Sequence, residues 1–139
     1  MNDINAVEAK KLLDSDSGYI YLDVRTLAEF EEGHAPEAWN IPVVLPTASG
    51  EAMEQNPAFL PIVAATFAKN QPMIVGCRSG GRSAYAAELL RRAGYANVRN
   101  MEGGFGGSEH QPGWSQCGFP IEQGRGGERS YAQLSAKAS

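Results

Sequence analysis

With 139 residues, the chain has room for one hydrophobic core and little for a second domain. Its 42% hydrophobic and 20% charged content excludes a globally disordered or fibrous polymer. A net charge of −4 argues against general nucleic-acid binding, which needs a surplus of Lys and Arg, yet residues 57–139 hold 9 bases against 5 acids and can attract a small anion.

In chain order, Ala6, Ala9, Lys10 and Leu13 have helical spacing and predict a short first helix, closed near Gly18. Residues 19–24 (Tyr19-Ile20-Tyr21-Leu22-Asp23-Val24) read as a buried strand. Thr26 and Glu29 have the spacing of a capping box, which predicts a helix to about Glu32 with Gly33 at its end. Trp39-Asn40-Ile41-Pro42 is a short strand closed by its proline. Residues 43–56 are rich in turn formers and acids and read as a long surface loop. Asn56 and Pro57 then predict the start of a helix running to about Lys69. Met73-Ile74-Val75-Gly76 is the next strand, and residues 83–92 form an amphipathic helix ended by Gly94.

Asn97 to Met101 is the last expected strand. Glycines make residues 103–113 irregular, and the polar stretch 123–139 reads as a mobile tail beyond a domain spanning 4–122. Strands alternating with helices predict an α/β fold with a largely parallel central sheet flanked by helices on both faces.

Chemistry concentrates in Cys77-Arg78-Ser79-Gly80-Gly81-Arg82-Ser83, between a strand and a helix. In open α/β sheets such junctions lie at the carboxyl edge, where ligands bind. Paired glycines let the loop turn tightly enough for backbone N–H groups to converge on one point, and the following helix start adds to their field. Those dipoles, with the guanidinium groups of Arg78 and Arg82, would stabilise a Cys77 thiolate as a nucleophile. Arg78 and Arg82 are candidates to attract an anionic substrate. Ser79 and Ser83 can donate hydrogen bonds to loop or ligand, although Ser83 can equally cap its helix. A cysteine-based phosphatase or arsenate-reductase loop usually carries its arginine one residue later, where this chain has Ser83. The shorter cradle suits a terminal sulfur better than a phosphoryl group.

Several passages together resemble the rhodanese family, specifically its single-domain thiosulfate sulfurtransferase-like members. They are Tyr21 to Thr26, Glu29-Phe30 with Gly33-His34-Ala35, Ala38 to Pro42, Cys77 to Ser83, Gly94-Tyr95 with Asn97-Val98, and Glu102-Gly103-Gly104. The resemblance covers residues 4–122. It implies a sulfurtransferase in which Cys77 takes the sulfane sulfur of a donor such as thiosulfate as a persulfide and passes it to cyanide or a thiol. The site residues so implied are Cys77, with Arg78, Ser79, Gly80, Gly81, Arg82 and Ser83 around the substrate. Asp23 and Arg25 look like structural supports. The alternatives are a sulfur carrier or regulatory module, loaded by a partner, and, ranked below it, a cysteine-based phosphatase or arsenate reductase.

The resemblance requires no metal or organic cofactor, and the partners it implies are a small anionic sulfur donor and a thiol or cyanide acceptor, without nucleic acid or membrane. Relative to the family pattern, about six residues are inserted around Gly107 to Gln111, which bears on substrate access. His34 is expected to make a helix-end hydrogen bond, and His110 to be exposed. Cys117 is read as incidental rather than as a resolving thiol. Trp114 and Phe119 are expected to pack the C-terminal segment over the core.

Two cysteines are too few for a disulfide framework. The first residues, Met1 to Asn5, do not read as a secretion signal, and no apolar run approaches the ~20 residues that span a bilayer. The cytoplasm is the expected location.

Overall fold

The computed structural model describes residues 3–138. Met1 and Asn2, part of the segment read for a secretion signal, and Ser139, the end of the expected tail, lie outside the described residues.

A four-stranded parallel sheet runs through the centre in the order β2, β1, β5, β6. Its strands are β1 (Ile20–Asp23), β2 (Trp39–Asn40), β5 (Met73–Gly76) and β6 (Val98–Asn100). Strand alternation splits the apolar side chains between two faces. Leu22, Val24, Met73 and Val75 face one cluster, completed by α3 (Phe59–Thr66), α4 (Gly81–Arg92) and α5 (Tyr131–Ala138). Tyr21 and Ile74 face the other, completed by α1 (Ala6–Asp14) and α2 (Leu27–Glu32). Helices therefore cover both faces, as the alternating pattern predicts.

The capping box on α2 forms as the spacing requires. Glu29 N–H donates to Thr26 Oγ1 at 3.3 Å, and Thr26 N–H donates to Glu29 Oε1 at 3.1 Å. α1 carries an equivalent box between Asn5 and Glu8.

Three expectations change. Residues 43–56 are not an open loop: Val44–Pro46 and Met53–Gln55 pair antiparallel as β3 and β4. β3 is a run of three apolar residues and β4 is exposed throughout, so no period-2 pattern marks them. α3 begins at Phe59 because the Asn56 carboxamide oxygen accepts from Ala58 N–H and holds a turn there. It stops at Thr66 because Phe67 turns inward, edge-on to Trp39.

The polar stretch 123–139 is not structureless in its described part. Residues 127–129 make a 3-10 turn, and α5 follows with Leu134 buried at 3% exposure against the first cluster. One leucine, with Tyr131 and Ala138 beside it, docks this short helix.

Candidate functional site

β5 is buried along its length and delivers Cys77 to the carboxyl edge of the sheet. Only one of the two loop glycines is needed for its conformation. Gly80 adopts φ +116°, a backbone region that L side chains rarely enter, and reverses the chain into α4. Gly81 is the first helical residue, with open space where a Cβ would stand. The helix thus begins two residues ahead of the expected Ser83.

Cys77 is free, 1% exposed, and packed into the first core cluster. Gly80 N–H donates to its Sγ at 3.1 Å. Ser83 Oγ, fully buried, lies 3.4 Å from the same sulfur. That hydroxyl also lies 3.1 Å from Gly80 O and donates to Asn100 Oδ1. One backbone amide and one hydroxyl therefore reach the sulfur, rather than the full ring of amides the glycines suggest. The N–H groups of Gly81, Arg82 and Ser83 belong to the first turn of α4, where no intrahelical acceptor exists. They supply the electropositive end of the helix beside the sulfur.

Arg82 makes no hydrogen bond to Cys77 among the described residues. Its Nη1 and Nη2 donate to Glu29 Oε1 and Oε2 at 2.7 and 2.9 Å. Burial pushes the Glu29 carboxyl up, but the Arg82 fork and the Thr26 donors outweigh it and hold its pKa at about 2. The same hydrogen bonds raise the Arg82 pKa against the opposing effect of burial. Arg78, Ser79 and Gly81 are exposed on the outer side of the loop.

Asp23 and Arg25 form a buried pair at the end of β1. Arg25 Nη2 donates to Asp23 Oδ2 at 2.8 Å and to Gly33 O at 2.7 Å, and its guanidinium lies 4.4 Å from the Phe105 ring centroid. Burial acts to lower the Arg25 pKa, but the Asp23 carboxylate leaves it raised. The pair ties β1 to the end of α2 and does not contact Cys77 through any hydrogen bond.

The segment after β6 is stitched onto the loop. Phe105 N–H donates to Cys77 O at 2.7 Å and Gly106 N–H to Arg78 O at 2.8 Å. At Gly104, φ is +53° and a Cβ would sit 2.4 Å from Cys77 O, so the glycine permits this approach. Asn100, Phe105 and the Arg82-binding role of Glu29 escape sequence reasoning. Only the Glu102-Gly103-Gly104 passage hinted that this segment belongs to the site.

A cleft of about 540 Å³ opens beside the loop, with Arg78, Arg25, Phe105, Glu32, Ile121 and Gln123 among its walls. Cys77 does not line it. The inserted residues begin directly after its Gly106 wall, and His110 in the insertion is exposed. Cys117 packs against the opposite sheet face from Cys77, beside the cluster that holds Trp114. Trp114 stands edge-on to Tyr21 and to Phe119, which secures the C-terminal segment as expected. His34 makes the expected helix-end contact: its Nδ1 lies 2.7 Å from Phe30 O. No group of three or more His, Cys, Asp or Glu among the described residues is arranged to hold a metal ion, and no described helix is long and apolar enough to cross a membrane.

Comparison with known proteins matches residues 5–110 to the rhodanese-like domain family. Thiosulfate sulfurtransferase 16, chloroplastic, of Arabidopsis thaliana is 42% identical over 106 residues, covering 76% of this chain and 82% of that protein. Thiosulfate sulfurtransferase 18 of the same plant is 40% identical over 120 residues, covering 85% and 81%. Among solved structures, a protein from M. tuberculosis aligns with a TM-score of 0.72 at 29% identity, over 88% of this chain and 97% of its own.

Proposed function

The chain belongs to the rhodanese-like family, and from that premise we propose that it is a sulfurtransferase whose nucleophile is Cys77. The Cys77 thiolate attacks the outer sulfur of thiosulfate, the sulfur–sulfur bond of the donor breaks, and sulfite leaves with the bonding pair. The protein then carries a Cys77 persulfide. A second nucleophile, cyanide or a thiol, takes the outer sulfur, releasing thiocyanate or a new persulfide and restoring the thiolate. Both half-reactions keep negative charge on sulfur, which prearranged N–H dipoles stabilise without solvent reorganisation.

The observation that carries this reading is the Gly80 N–H donating to Cys77 Sγ at the head of α4. In this proposal Ser83 steadies the same sulfur, and the first-turn amides of α4 with Ser79 receive the outer one. Arg78, exposed and bordering the adjacent cleft, draws in the anionic donor. Asp23 and Arg25 act as supports. Arg82 stays with the substrate-binding group as a contributor of positive field, although its hydrogen bonds go to Glu29. We place the chain in a reducing compartment such as the cytoplasm, since its two cysteines are too few for a disulfide framework.

The 1% exposure of Cys77 favours a second reading: a carrier that accepts sulfur only when a partner protein opens the loop. Intact mass after incubation with thiosulfate tests the proposal. The expected result is a gain of one sulfur, lost on adding a thiol, with thiocyanate formed when cyanide is present. No gain with thiosulfate, but loading by a persulfide-bearing protein, overturns the enzymatic reading in favour of the carrier. No gain under either condition overturns both.

A further inference from the structure

A second cavity, of about 470 Å³, lies where β1 begins, beside the edge strand β2. Ile20 in its wall is in register with Met73, and Cys77 lies four residues beyond Met73. At the rise of a β-strand this is a separation of about 13 Å along the sheet. The cavity is therefore separate from the proposed sulfur chemistry.

Four aromatic residues contribute to its walls: Tyr19, Tyr21, Trp39 and Trp114. Two of these rings have their polar groups engaged. Tyr19 OH donates to Asn97 Oδ1 at 2.7 Å and accepts from Arg99 Nε at 3.1 Å. The Trp114 indole N–H donates to Pro120 O at 2.8 Å.

Two donors on the same cavity have no acceptor among the described residues. Arg129 Nε is buried and unpartnered, and no carboxylate of the described residues lies within 4.0 Å of the guanidinium. The Trp39 indole N–H likewise makes no hydrogen bond. Of the acids that line the cavity, Asp14 is paired with Lys10, and Glu37 is an exposed residue that does not reach Arg129. Burying a guanidinium N–H without an acceptor is unfavourable, and a planar carboxylate is the group whose two oxygens match that fork. Ring walls favour a flat aromatic body attached to it.

We propose that this cavity is a binding site for an aromatic carboxylate, whose oxygens accept from Arg129 and the Trp39 indole N–H while its ring packs against Tyr19 and Trp114. The probe pair is 2-naphthoate and its uncharged analogue 2-naphthamide, followed by the two indole N–H resonances in a ¹⁵N-labelled sample. Expected are saturable binding of 2-naphthoate at least tenfold tighter than 2-naphthamide, a downfield move of the Trp39 indole N–H, and at least tenfold weaker binding by R129Q. Equal binding of acid and amide, unaltered binding by R129Q, or shifts confined to residues 77–83 overturns it. The acid-to-amide comparison uses the unaltered protein, so it stands even if R129Q folds poorly.

Discussion

Both carboxylate oxygens of Glu29 are taken by the two terminal nitrogens of Arg82, so the residue that caps α2 also anchors the first turn of α4. A carboxyl held at about 2 resists protonation in the folded chain, whereas the unfolded chain takes up its proton near the ordinary 4.5. The stability this contributes is complete above pH 4.5 and is lost as pH falls towards 2. Urea midpoints measured between pH 2 and 6 should fall on the acid side for the native sequence, and E29Q should show a lower, flatter profile over that window.

Because Arg82 spends its fork on Glu29, the positive field it contributes to sulfur transfer is expected to depend on that carboxylate holding it at the head of α4. E29A, R82A and the double variant should then lower thiosulfate turnover by similar factors, with a coupling energy of about 1 kcal/mol or more. Steady-state rates for the four proteins check this. A drop confined to R82A, seen in the donor KM alone, would instead make Arg82 a direct contact.

Cys77→Ser should abolish sulfur uptake from thiosulfate in the intact-mass measurement, since an alkoxide neither forms at neutral pH nor yields a persulfide. The fold should persist, because the serine hydroxyl has Gly80 N–H and Ser83 Oγ at hand. Retained labelling of the variant would remove Cys77 from the reaction.

Gly104→Ala places a Cβ against Cys77 O in a left-handed backbone conformation. A loss of about 2–4 kcal/mol in unfolding free energy is expected from overpacking and backbone strain together, with sulfur uptake impaired at temperatures where the variant is still folded. Chemical denaturation and the mass assay read the two effects separately.

Leu134→Ala should cost about 2–5 kcal/mol, the usual range for a buried leucine, if α5 is docked as the structure has it. Native-state hydrogen exchange should show protected amides in residues 134–138. Fully exchanging amides there would return the segment to the mobile tail that its composition suggests.

The parts legible from sequence are those whose signal is local and periodic. β1, β5, α2 and α4 each combine an apolar pattern with a cap or a glycine, and each appears close to its expected bounds. The hairpin β3–β4 and the helix α5 were hidden because their stability comes from partners elsewhere. A bond between Asn56 and the Tyr131 hydroxyl, 75 residues apart, joins the two regions and is invisible to any window. At the site, the cysteine and the turning glycine were readable. The Arg82 partner was not, because Glu29 already had a sufficient local explanation as a cap, and nothing in the spacing signals a second use. Asn100 and Gly104 come close to the loop only once β6 is laid beside β5.

The peptide unit between Gly104 and Phe105 donates its N–H to the Cys77 carbonyl at 2.7 Å, and its carbonyl in turn accepts from the Trp114 backbone N–H at 2.9 Å. The main chain of Trp114 is thereby joined to that of Cys77 through the single peptide unit between Gly104 and Phe105. Strain from seating an additional atom on the thiol would be passed to a natural fluorophore, so emission from this side chain offers a label-free stopped-flow signal for each half-cycle.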